Sequence, residues 1–434
     1  MQAQFAYREP PVCDRDMLRV VLDPFGVARA ALAVGRAWQA HPTSWLVPLL
    51  HYTRDMHLLG VQSALAACGL PSRPVIEPSS EDRRYADAGW RVWPYFSLLK
   101  QWSLLQARWT DEALRSNGRL PVRERRTLAF WTWQLQDACA PSNFLWTNPG
   151  AINACLRSNG ESLVSGARLL AQDMCEGEVR MAPRRDLIVG RDLATTPGAV
   201  VYRNELIELI QYAPATAEVR ETPVVVIPPW INKYYILDLT PEQSVLRHLV
   251  HAGYTVFAVS WKNPDAALAG ASFEDYLMRG VREAVEVARR ICGVPAVHAV
   301  GYCVGGTALA TLMAWLNAGV ADEPPPVAHW TLLSTLVDFS EPGPITAFVN
   351  EQSVDTICAL MEQRGYLDGR QMALTFRMLR ANSLIWHYVV RNYLYGEAPP
   401  SSPVLEWNMD TTRVPAAMHG WYLRHCYLEN NLQR

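Results

Sequence analysis

From about residue 199 onward, short runs of β-branched and aromatic residues alternate with longer runs whose apolar residues recur every three to four positions. VVYRNELIELIQYA, TPVVVIPPW and YTVFAVSW read as strand segments, and SVLRHLVHAG and FEDYLMRGVREAVEVARRIC as helices. The strand AVHAV follows, then the turn GYCVGG, a further helix, and a strand in HWTLLSTLVDF. Apolar strands separated by helices predict an α/β fold whose parallel sheet is covered on both faces. Upstream, residues 1 to about 200 carry helical periodicity, with amphipathic stretches at 27–39 and 125–137 separated by the polar, proline-bearing SRPVIEPSSEDRR. Beyond residue 343 the pattern is helical again to residue 395 and then turn-rich around GEAPPSSP, which predicts a helical cap over the carboxyl end of the sheet.

Composition narrows the choice of function. The chain has 434 residues, 50% of them hydrophobic, enough for a large core. A net charge of -2, from 40 basic and 42 acidic residues, provides no field to gather phosphate backbones and argues against nucleic-acid binding. Nine cysteines scattered from Cys13 to Cys426 without a CxxC pair fit reduced thiols in a cytoplasm. The opening MQAQFAYREPPVCDRD carries charges of both signs before any apolar run, unlike a secretory signal. Residues 297–316, VHAVGYCVGGTALATLMAWL, lack charge and are long enough to span a membrane. The glycines between a β-leaning and a helix-forming half predict a buried strand, turn and helix instead, and no transmembrane segment is expected. Trp90, Trp93, Trp102, Trp109, Trp131, Trp133 and Trp146 crowd the first part. Burial in a helical layer is their expected fate, and a patch for a partner or hydrophobic polymer is the alternative.

The chemistry concentrates in Gly301-Tyr302-Cys303-Val304-Gly305, a G-x-C-x-G in the position where α/β-hydrolases carry G-x-S-x-G. A strand turning directly into a helix leaves room only for small residues two positions either side of the nucleophile, and Gly301 and Gly305 meet that demand. The first turn of the helix is expected to lower the pKa of the Cys303 thiol, and the N–H of Val304 to face a developing oxyanion. The alternative for Cys303 is a small buried thiol. A second oxyanion donor is expected from VVVIPPWINKYYILDL, where Pro228 and Pro229 remove two N–H groups and leave those of Trp230, Ile231 and Asn232 as the next donors; a packed corner is the alternative. Asp338, at the end of the strand after the elbow helix, is placed either to reach a site histidine or to bond N–H groups of the following turn.

PPWINKYYILDL, SWKNPDA and GYCVGGT, in this order and spacing, resemble the signature segments of polyhydroxyalkanoate synthases. PSNFLWTNPGA, GRDLATTPGAVVYRNELIELIQYAP, LVDFSEPG, RANSLIWHYVVRNYL and WNMDTTRVPAAMHGWYLRHCYLENNL extend the resemblance over residues 82–432. It implies a cytoplasmic acyltransferase that polymerises 3-hydroxyacyl-coenzyme A on the Cys303 thiol at the surface of a polyester granule, as a homodimer and with no cofactor or metal. It divides the chain into a variable extension (1–80), a helical N-terminal domain (81–198), an α/β-hydrolase-like core (199–342) and a helical cap region (343–434). In that family the catalytic acid and histidine follow the ENNL segment, and no loop resembling R-E-D-H or G-H-I-A-G occurs in these 434 residues. The last strands are therefore expected to be missing, leaving an unpaired sheet edge. His298, His387, His419 and His425 are expected to be packed or surface residues rather than bases. Cys303 is then expected to accept one acyl group, while chain extension, which needs a base to deprotonate a hydroxyl, stalls. A non-catalytic granule-associated or synthase-dimerising protein is the alternative, with an esterase or depolymerase behind it.

Overall fold

In a computed structural model of the protein, residues 23–116, 118, 120–183, 187–318 and 325–433 are described. The expectations for the N-terminal MQAQ segment and Cys13 fall outside them. Six strands form one sheet in the order β1-β2-β4-β3-β5-β6: β1 (Gly198–Arg203), β2 (Ile207–Tyr212), β3 (Val224–Ile227), β4 (Val256–Trp261), β5 (Val297–Tyr302) and β6 (Val327–Leu333). β4, β3, β5 and β6 are parallel, as expected. The rest of the sheet corrects the expectation: β1 and β2 form an antiparallel hairpin, and β2 runs antiparallel to β4. Only a short turn joins β1 to β2, and a parallel pair would need a crossover of a dozen or more residues. The strand order and the turn after β5 make the fold α/β-hydrolase-like.

The near-continuous apolar runs of β3 and β4 follow from burial on both faces. Val225, Ile227, Phe257 and Val259 pack against Val281 and Val285 and against Ala308, Leu309 and Leu312 of the helix Val304–Ala318. Val224, Val226, Val256 and Ala258 face Leu246 and Val250 of the helix Val245–His251. The edges differ from this pattern. β1 is largely exposed, and on β6 only Val327 is buried. Among the described residues β6 pairs with β5 alone, so its outer edge is open. The expected strand through Asp338 stops at Leu333, because Ser334 takes a left-handed φ of 48° and leads the chain out of the sheet. Residues 297–316 divide into β5, a one-residue turn and the following helix, and among the described residues no helix is long and apolar enough to cross a membrane.

The amphipathic stretches near the N-terminus lie in the helices Val27–Ala40 and Val122–Ala138. The tryptophans there are a correction. Trp90 is buried against Tyr85, with ring centroids 4.9 Å apart, but Trp93, Trp102, Trp133 and Trp146 are exposed, Trp146 by 78%. Helical spacing gives the reason: Tyr95, Leu98 and Trp102 share the outer face of the helix Pro94–Arg115, while Lys100, Gln101 and Leu105 turn inward. These N-terminal helices dock on the cap. Gln134 Nε2 donates to the Met378 carbonyl (2.9 Å), Asn392 Nδ2 to the Arg180 carbonyl (3.0 Å), and the Tyr393 hydroxyl to Asp173 (2.7 Å). The cap holds the helices Glu351–Arg364, Gly369–Met378, Pro403–Met409 and Ala416–Tyr422, and a small antiparallel pair, β7 (Tyr366–Leu367) with β8 (Val414–Pro415). It is fastened to the exit of β4, where the Arg413 N–H donates to Asn263 Oδ1 (2.9 Å).

Candidate active site

The chain turns from β5 into the next helix at Cys303, whose φ is 54°. A non-glycine residue in this left-handed region costs roughly 1–2 kcal/mol. The surroundings hold it there: the Cys303 N–H donates to the Leu333 carbonyl of β6 (2.9 Å), and its own carbonyl accepts from the N–H groups of Gly306 (2.9 Å) and Thr307 (3.2 Å). The glycines are demanded by close approach. A methyl group on Gly301 would stand 2.5 Å from the Gly306 Cα, and one on Gly305 would run into the carbonyl oxygens of Ile227 and Pro228 at the exit of β3. The G-x-C-x-G spacing therefore records how closely the elbow packs on its neighbours.

The same contacts bring the elbow and the loop after β3 together. The Trp261 indole N–H donates to the Pro228 carbonyl (2.8 Å). Trp230 is buried edge-to-face between Trp261, Phe273, Tyr276 and Tyr422, and Ile231 is half-buried against the same core. The Thr412 hydroxyl lies on the carbonyls of Trp230 (2.9 Å) and Ile231, and Asn232 forms an isolated antiparallel bridge with Thr411. The loop is thus a packed corner, and it lies against the elbow at Gly305.

Electrostatics correct the expectation for the thiol. Cys303 is half-buried, and burial pushes its pKa above the ordinary range; a hydrogen bond from the Val304 N–H pulls the other way and is the smaller effect. The apolar surroundings come from residues that sequence reasoning missed. Tyr422 and Tyr427 stand near enough to Cys303 for a thiolate there to raise their hydroxyl pKa values further, although burial is the main cause of both shifts. Their rings are 5.7 Å apart, and those of Phe339 and Tyr427 are 4.9 Å apart. In an α-helix, residues five apart point in different directions. Here Leu423–Leu428 is π-helical, and the wider turn lets Tyr422 and Tyr427 serve one wall.

Asp338 bonds the chain that follows β6. It is exposed, accepts hydrogen bonds from the Ser340 N–H (2.9 Å) and Asn430 Nδ2 (2.9 Å), and is held below the usual carboxylate range by these contacts, which is the turn role. His298, paired in register with His329, lies five residues before Cys303, about 16 Å away along the strand at about 3.3 Å per residue. His419 is sealed inside the cap, where burial pushes its pKa down to about 4, and half-buried His425 bonds Glu429 at 2.7 Å. His387 belongs to the cap as well, its pKa lowered by burial and then by Arg391. Among the described residues no group of three metal-ligating side chains could hold an ion.

Residues 81–249 match a family described as the N-terminus of poly-beta-hydroxybutyrate polymerase. A poly(3-hydroxyalkanoate) polymerase of Methylorubrum extorquens is 39% identical over 412 residues, 94% of this chain and 68% of that protein. The poly(3-hydroxyalkanoate) polymerase subunit PhaC of Cupriavidus necator is 41% identical over 363 residues, 81% of this chain and 60% of that protein. The corresponding subunit of Rhizobium meliloti is 39% identical over 357 residues, 81% of this chain and 58% of that protein. The chain thus spans roughly three fifths to two thirds of the length of these curated relatives, given the 68%, 60% and 58% covered. The elbow around Cys303, the loop around Trp230 after β3 and this similarity along nearly the whole chain lead to one conclusion: the chain belongs to the poly(3-hydroxyalkanoate) polymerase family.

Proposed function

We propose that this chain is an acyltransferase of polyhydroxyalkanoate synthesis in which Cys303 takes a 3-hydroxyacyl group from coenzyme A as a thioester. The observation that carries the reading is a cysteine held at a φ of 54° between strand and helix, with glycines two positions to either side packed against neighbouring backbone. In the proposed step the sulfur of Cys303 bonds the acyl carbon, and the carbonyl oxygen bears negative charge until the carbon–sulfur bond to coenzyme A breaks. Coenzyme A then leaves as a thiol carrying the proton that Cys303 gave up. The Val304 N–H and a donor from the loop after β3, Ile231, would stabilise the oxygen, with Asn232 beside them. The aromatic wall of Phe339, Tyr422 and Tyr427 suits the hydrocarbon part of an acyl group and excludes water.

The second half of the cycle asks for more. A growing chain's secondary hydroxyl attacks only once a base takes its proton, and of the histidines singled out in the sequence His298 lies at the start of β5, His419 is buried inside the cap and His425 is bonded to Glu429. In hydrolase triads loss of the histidine costs on the order of 10⁶ in rate. The 434 residues acting alone are therefore proposed to acylate and stall. Incubation with 3-hydroxybutyryl-coenzyme A is expected to release coenzyme A in a burst that ends near one equivalent per chain. Sustained release over many turnovers would overturn the stall, and no release at all would overturn the nucleophile.

The exposed apolar face of Tyr95, Leu98 and Trp102, together with the exposed Phe144 and Trp146, supports a second element of the proposal: contact with a hydrophobic polyester granule in the cytoplasm. Binding to purified polyester particles, lost on combined W102A and W146A substitution, is the expected outcome, and unchanged binding would remove this element. A homodimer follows from the family reading, and sedimentation reports on it directly.

A further inference from the structure

The loop after β3 is held almost entirely by its carbonyl groups. Pro228 accepts from the Trp261 indole (2.8 Å), Trp230 and Ile231 from the Thr412 hydroxyl, and Lys233 from the Trp407 indole (2.8 Å). Pro228 and Pro229 have no N–H to tie the loop into the sheet, so these side chains set its path. In a planar trans peptide the C=O and N–H point in opposite directions. Whatever fixes the Trp230 carbonyl therefore also aims the Ile231 N–H, and whatever fixes the Ile231 carbonyl aims that of Asn232. Thr412 is well placed for this. It is 4% exposed, its hydroxyl has one proton to give, and it reaches carbonyls 182 and 181 residues away in sequence. Its neighbour Thr411 bridges Asn232 in the same strip of chain.

We propose that Thr412 is a positioning residue for acyl transfer: its hydroxyl, delivered from the cap, fixes the 230–231 peptide so that the Ile231 N–H is preset for the oxyanion formed at Cys303. This rests on the reading of Cys303 as the acylated nucleophile. It also gives the cap a task beyond covering the sheet, because one short segment of it orients the loop beside the elbow.

Two reactions of the same sulfur separate positioning from mere folding. Acylation by 3-hydroxybutyryl-coenzyme A passes through an oxyanion, whereas alkylation by iodoacetamide displaces iodide and forms none. Both rates are measured in single turnover on the full chain. For T412V, acylation is expected to fall at least tenfold, with a ceiling near the 10²–10³ that loss of a whole oxyanion donor costs, while alkylation stays within about twofold. T412S, which keeps the hydroxyl, is expected to recover most of the acylation rate. If T412V does not fold by its melting curve, T412A is read by the same ratio. Acylation of the hydroxyl-free variant at the parental rate would overturn the proposal. So would equal losses in both reactions, or T412S being no better than T412V. Failure of the parent to be acylated, or acylation surviving in C303A, would instead overturn the Cys303 reading, and the role of Thr412 with it.

Discussion

Gly305→Ala adds one methyl group where the elbow helix meets the exit of β3. The new carbon would lie 2.5 Å from the Pro228 oxygen and 2.8 Å from its carbonyl carbon, and would also strike the Ile227 oxygen. Carbon–oxygen contacts normally begin near about 3.3 Å. Neither oxygen has room to yield. Ile227 is in a strand between β4 and β5, and the Pro228 carbonyl is held by the Trp261 indole at 2.8 Å. The helix must therefore recoil by a good part of 1 Å. Alanine itself gains about 1 kcal/mol of helix propensity over glycine. Overpacking costs about 1–3 kcal/mol and sometimes more, so a net loss of up to about 2 kcal/mol is expected. The chemical effect is larger, since displacing a reacting group by about 1 Å costs on the order of 10² in rate. Thermal unfolding and single-turnover acylation, each compared with the parent, measure the two effects. Gly60→Ala is the control: nothing lies within 4 Å of its new methyl group, so it is expected to raise stability by up to about 1 kcal/mol. A G305A protein that melts with the parent and is acylated at the parental rate would refute the packing argument.

Three further outcomes are expected. Because burial raises the Cys303 pKa, its alkylation rate should still be climbing with pH where an ordinary thiol, of pKa about 8.5, is half ionised; a plateau below that pH would contradict it. His419 has a folded pKa of about 4 against an unfolded value of 6.5, so below 6.5 the unfolded chain takes up a proton that the folded one refuses. Stability tied to this group is then present above pH 6.5 and is lost as pH falls towards 4, by up to about 1.4 kcal/mol per pH unit. H419Q is expected to flatten that part of the melting-temperature profile between pH 7 and pH 5, and an unchanged slope would show that the histidine is not the cause. Asp338→Asn is expected to leave acylation within about threefold of the parent, because the side chain serves a turn; a loss of 10² or more would restore Asp338 as a catalytic acid.

What the sequence disclosed and what it hid have separate physical causes. Strand, turn, helix and glycines around Cys303 were legible because each is a local demand of backbone geometry. The antiparallel hairpin of β1 and β2 is hidden in the sequence, because VVYRNELIELIQYA carries no glycine or proline at its turn and its apolar residues suit a strand of either direction. Burial of the tryptophans was expected from residue type, yet Trp102 belongs to a helix face turned outward, and helical phase rather than hydrophobicity placed it there. The raised thiol pKa and the wall of Tyr422 and Tyr427 depend on a π-helical turn that 3.6-residue periodicity does not anticipate. Thr412 left no trace in sequence at all, since its partners at Trp230 and Ile231 are brought to it only by the folding of the cap onto the β3 exit.

Peptide mapping after brief exposure to radiolabelled 3-hydroxybutyryl-coenzyme A tests the assignment of the nucleophile most directly. The expected result is a single acyl group on the peptide containing Cys303, absent in C303A and absent after prior treatment with iodoacetamide. Label on another of the nine cysteines, or a parent chain that takes up none, would contradict it.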